Sequence, residues 1–90
     1  MAQIKDKELD KVRQKIDLVD RTILESVEER FELVNDIVRI KKSKGLPIRD
    51  LEREEEVIKS KFALTELSEE FVAKLYRLII DESVRMKEDS

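Results

Sequence analysis

The chain has no cysteine, no histidine and no tryptophan, and only one glycine and one proline among its 90 residues. Without cysteine there is no disulfide and no thiol nucleophile. Without histidine there is no imidazole base, and the usual zinc and haem ligands are gone as well. Any catalysis must therefore use Arg, Lys, Asp, Glu, Ser or Tyr. Aromatic residues make up 4% of the chain, too few for sheets, whose strands favour aromatic and β-branched residues between frequent turns, so an all-α fold is expected. No run approaches the roughly 18 apolar residues of a membrane span, and the opening Met-Ala-Gln-Ile-Lys-Asp-Lys carries no hydrophobic signal core. A cytoplasmic protein with no membrane association is expected. Neither sign of charge dominates: 22 acidic and 19 basic residues give a net charge of −3. They are spread along the chain, with no basic stripe to hold nucleic-acid phosphates, so nucleic acid is not an expected partner.

What the chain does have is charge and helical periodicity. Residues 7–42 contain no Gly or Pro, and Val12, Ile16, Val19, Ile23, Val27, Val34 and Ile37 recur at helical spacing. Such a helix is on the order of 50 Å long, whereas a compact chain of this size has a radius of gyration of about 12 Å, so its own chain cannot cover it. Small domains also gain from burial against a partner. A homodimer of single 1–90 domains is the expectation.

Gly45 suits a helix C-cap and Pro47 cannot continue a helix, which puts a turn at Ser43-Lys44-Gly45-Leu46-Pro47. Asp50 then stands as an N-cap, with Glu52 and Glu54 in the first turn near the positive end of the helix dipole. Leu51, Val57, Ile58 and Phe62 carry this second helix to about Ala63. Ser68 caps a third helix bearing Phe71, Val72, Leu75, Tyr76, Ile79 and Ile80, and residues 87–90 are expected to fray.

The anomaly lies on the first stripe. Continued by threes and fours it runs Ile23, Val27, Arg30, Val34, Ile37, Lys41, which puts two cations at positions assigned to a buried face. An unpaired buried charge costs several kcal/mol, so Arg30 must meet a carboxylate of its own protein or an anionic ligand. Lys41 either faces the same ligand or snorkels to solvent. The third helix has a similar break, where Val72, Tyr76 and Ile79 or Ile80 give way to Ser83 and Lys87 on one face. Lys87 there is either a ligand group or a terminal cation favoured by the helix dipole. Arg13 precedes Arg30 by seventeen residues, roughly 25 Å along a helix. Either Arg13 is a solvated surface residue, or an antiparallel partner helix brings it to a site shared between chains. The charges that follow Pro47 are mostly a solvated face of i,i+4 pairs, with room for one or two to turn toward a hydroxylated ligand.

Taken together, these residues resemble the all-helical chorismate mutase family over nearly the whole chain. The resemblance rests on Val12-Arg13-Gln14-Lys15-Ile16-Asp17-Leu18-Val19-Asp20, Glu29-Arg30, Ile40-Lys41, Pro47-Ile48-Arg49-Asp50 with Arg53-Glu54, and Leu78-Ile79-Ile80-Asp81-Glu82-Ser83. It implies three helices per protomer, with the long first helices paired in an intertwined homodimer that shares two sites. It also implies conversion of chorismate to prephenate with no cofactor or metal. By the same resemblance, Arg30 and the partner chain's Arg13 clamp carboxylates and Ser83 adds a hydrogen bond. Lys41 reaches a carboxylate and the ether oxygen, the Asp50 backbone N–H and the Glu54 side chain hold the ring hydroxyl, and Arg53 supports that corner.

The chain departs from the family at Lys87, which stands where Gln or Glu usually faces the ether oxygen. The short link at residues 59–67 is a second departure. Two rival functions share this pattern: an isochorismate-pyruvate lyase, and a non-catalytic helical dimerisation or regulatory module.

Overall fold

The computed structural model describes residues 6–88, with side chains as far as Met86. Residues 89 and 90, and with them the end of the expected frayed segment, lie outside the described residues. Helix α1 runs Lys7–Lys44, α2 Leu51–Lys61 and α3 Glu69–Glu88, with a 3-10 turn at Phe62–Leu64. Among the described residues there is no strand. No helix among them is long and apolar enough to cross a membrane. The chain divides into two compact units at the bond between Arg30 and Phe31.

The first unit holds the N-terminal part of α1. The Asp6 carboxylate accepts from the backbone N–H groups of Glu8 (3.0 Å) and Leu9 (3.1 Å), a cap that the apolar pattern did not reveal. Val12, Ile16, Val19 and Ile23 form the expected stripe, and all four are exposed.

The second unit holds the last turns of α1 together with α2, the 3-10 turn and α3. Helix α1 continues to Lys44, slightly past the expected end, and closes in a Schellman motif. The Leu46 N–H reaches the Lys41 carbonyl at 2.8 Å and the Gly45 N–H reaches that of Lys42 at 3.3 Å. The motif needs a left-handed residue after the helix, and Gly45 supplies it with φ +66°. Asp50 caps α2 by accepting from the Arg53 N–H at 3.0 Å, and Ser68 caps α3 by accepting from the Phe71 N–H at 3.1 Å. Where α2 was expected to reach Ala63, the chain tightens into the 3-10 turn after Lys61. Helix α2 packs on α3. Ile58, Val72 and Ile80 are buried, as is the polar Ser83. The Lys61 ammonium lies 5.6 Å from the centre of the Tyr76 ring and ties the end of α2 to the middle of α3.

Candidate active site

Lys41 is half-buried. Its Nζ donates to the Ile48 carbonyl at 3.1 Å, so the ammonium turns to the loop between α1 and α2 and meets a backbone carbonyl there, not a carboxylate. An ammonium has three donors, and this bond uses one. The Schellman turn makes the contact possible, because it folds Pro47-Ile48 back beside the last turn of α1.

Two residues beyond Ile48, the Asp50 carboxylate is committed to its capping bond with the Arg53 N–H. The Arg53 side chain is exposed and lies 3.4 Å from Glu56. Glu54 is different, with its side chain only 13% exposed. It is held by Arg49, with Nε 3.0 Å from Oε2 and Nη2 3.3 Å from Oε1, and by Arg77 of α3, with Nη1 3.0 Å from Oε1. Arg77 also lies 2.5 Å from Glu55 and 3.7 Å from Asp81. Burial is the largest single influence on the Glu54 carboxyl and works to raise its pKa. The hydrogen bonds and charges of Arg49 and Arg77 together outweigh it, and the carboxyl sits below its ordinary value of 4.5. At neutral pH Glu54 is therefore an acceptor, unsuited to giving up a proton.

Ser83 is 7% exposed, and its hydroxyl donates to the Ile80 carbonyl at 2.7 Å. In the first unit Arg30 is half-buried, and Arg13 is exposed beside Asp10 at 3.8 Å. The backbone of Lys87 lies in the last turn of α3, but its side chain falls outside the described residues. Lys41, Asp50 and Glu54 are thus joined through one short stretch of loop and helix start. The sequence did not single out Arg49 or Arg77 as partners of Glu54. Arg77 is separated from it by 23 residues, and only the packing of α3 on α2 brings the two together.

Chemically, this stretch suits an anionic ligand that also carries a hydroxyl, since it presents a half-buried ammonium and a carboxylate kept ionised. Among the described residues no group of His, Cys, Asp or Glu side chains is placed to hold a metal ion.

Residues 12–88 match the family described as chorismate mutase type II. A chorismate mutase from Methanocaldococcus jannaschii is 46% identical over 46 residues, which cover 51% of this chain and 46% of that protein, so the match spans about half of the relative's length. Two structures of chorismate mutase from Thermus thermophilus are similar over most of this chain. Form I has a TM-score of 0.79 at 33% identity, covering 86% of this chain and 99% of the other. Form II has 0.82 at 32% identity, covering 91% and 96%.

Proposed function

The chain belongs to the chorismate mutase type II family, and from that premise we propose that it converts chorismate to prephenate as a homodimer of single-domain chains. In this Claisen rearrangement one C–C bond forms as the ether C–O bond breaks within a single molecule. No proton is transferred and no cofactor takes part. The substrate must be held in its compact conformer while negative charge grows on the departing ether oxygen. Positioning and electrostatic stabilisation are the two effects the protein has to supply.

Arg30 and the partner chain's Arg13 clamp the two carboxylates, where guanidinium forks match carboxylate geometry. Ser83 adds a hydrogen bond to one of them. Lys41 bridges a carboxylate and the ether oxygen as a preorganised cation. The Asp50 backbone N–H and the Glu54 carboxylate hold the ring hydroxyl, with Arg53 beside them. Lys87 takes the place of the family's Gln or Glu and donates to the ether oxygen. The exposed Val12, Ile16, Val19 and Ile23 form the face on which the second chain lies, which is how Arg13 comes to serve its partner's site.

The observation that carries this reading is Lys41, a half-buried cation on an apolar stripe whose Nζ lies 3.1 Å from the Ile48 carbonyl, two residues before Asp50. Incubation with chorismate and, separately, isochorismate tests it. Prephenate from chorismate is expected. Pyruvate from isochorismate without prephenate from chorismate would make the chain a lyase, and no product from either would leave a non-catalytic module. Lys41→Ala and Arg30→Ala should each lower kcat/KM by about 10²–10³-fold, the usual loss for one such donor, with helicity unchanged.

A further inference from the structure

The Glu54 carboxylate is gripped from two elements at once. Arg49, in the loop before α2, reaches both of its oxygens, and Arg77 of α3 reaches Oε1. Each carboxylate oxygen offers two lone pairs. Oε1 therefore has both of its acceptor positions taken, while Oε2, which accepts from Arg49 Nε, keeps one position for a further donor.

This grip differs from the other ion pairs of the second unit. Arg85–Glu82 and Lys74–Glu70 are exposed pairs within one helix turn and contribute little. Arg77 bridges helices. It already has two exposed acidic partners, Glu55 across the interface on α2 and Asp81 one turn along α3 itself. Its third partner, Glu54, is the least exposed of the three.

We propose that Arg77 is a positioning residue: it saturates Oε1 of Glu54 and so directs Oε2 to the ring hydroxyl of the substrate. This rests on the reading above that Glu54 holds that hydroxyl. A carboxylate held this way only accepts, so it selects a ligand that donates an O–H at that carbon and leaves an acceptor unmet when the hydroxyl is missing or methylated. The charged groups around Glu54 are Arg49 from the loop, Arg77 and, through it, Asp81 from α3, and Glu55 on its own helix. Removing the Arg77 cation leaves Glu54 with one cation and those two carboxylates.

The test compares R77Q, R77K, E54Q and the double variant R77Q/E54Q in the full chain. The first measurement needs no substrate: a 13C titration of the glutamate carboxyls, with Glu54 assigned by its loss in E54Q. The Glu54 midpoint should move up in R77Q and return toward wild type in R77K. The second is kcat/KM for chorismate against pH. R77Q should lose about tenfold at neutral pH, its acid limb should follow the Glu54 midpoint, and R77Q/E54Q should be no worse than E54Q. If R77Q does not fold, R77K decides, with a smaller loss that vanishes in the E54Q background. An unmoved Glu54 midpoint, or the same loss with and without Glu54, overturns the role of Arg77. A wild-type chain that makes no prephenate instead overturns the functional reading, and with it the hydroxyl assignment.

Discussion

Ile16 and Ile23 lie one above the other on the stripe of α1 and are 52% and 54% exposed. Val12 and Val19, on the same stripe, are exposed to a similar degree. Complete burial of a Val or Ile side chain stabilises by about 1.5–3 kcal/mol, so covering the exposed half contributes about 1 kcal/mol per residue. In a symmetric dimer eight such side chains are covered, a gross stabilisation of about 8 kcal/mol from this stripe. Replacing Ile16 and Ile23 by Lys removes half of it, about 4 kcal/mol, before any cost of crowding four ammonium groups into the interface. The dimer dissociation constant should therefore rise by about 10³-fold or more. Lys forms helices at least as well as Ile, so α1 itself should persist. Sedimentation equilibrium across micromolar concentrations, with circular dichroism on the same samples, measures both quantities. Turnover should fall along with the dimer, since Arg13 would leave its partner's site. A double variant that associates as tightly as wild type, or a wild-type chain that is a folded monomer at tens of micromolar, would refute the reasoning.

Three further outcomes are expected. Ile58→Ala empties a site that is 5% exposed between α2 and α3, and urea denaturation should show a loss of about 2–4 kcal/mol. Gly45→Ala meets no atom within 4 Å but must adopt φ +66°, so thermal melts should report a loss of about 1 kcal/mol from strain alone. Because the folded chain holds the Glu54 pKa below its ordinary 4.5, this carboxylate contributes stability that is fully present above the unfolded value and is lost as pH falls through the folded one. Wild-type stability should therefore decline from about pH 5 downward, and Glu54→Gln should flatten that slope when denaturation is followed against pH.

Local features were legible in the sequence, and those that depend on packing were not. Asp50, Ser68 and Gly45 are recognisable because a cap or a left-handed C′ residue acts within a few positions of itself. The stripe Val12 to Ile23 announced an apolar face, but periodicity does not say whether a face is covered by its own chain or by another. The third helix shows the same limit, with Val72 and Ile80 buried while Phe71 stays exposed. Lys41 stood out as a cation among apolar residues, yet its partner proved to be the Ile48 carbonyl, and any residue type at that position would carry one. Arg77 gave no signal, since an Arg on a charged helix is ordinary until α3 is laid against Glu54.

The hydroxyl of Ser83 carries a single proton, and that proton is already engaged with the Ile80 carbonyl. A carboxylate approaching from outside meets oxygen lone pairs, which repel it, until the hydroxyl turns. The carbonyl left behind is not abandoned, because within a continuous α-helix it also accepts from the backbone N–H four residues on. The turn therefore exchanges one side-chain bond of about 1 kcal/mol for a stronger, charge-assisted one. In the proposed site Ser83 is thus a latch, shut on the helix in this structure and opened when a substrate carboxylate arrives.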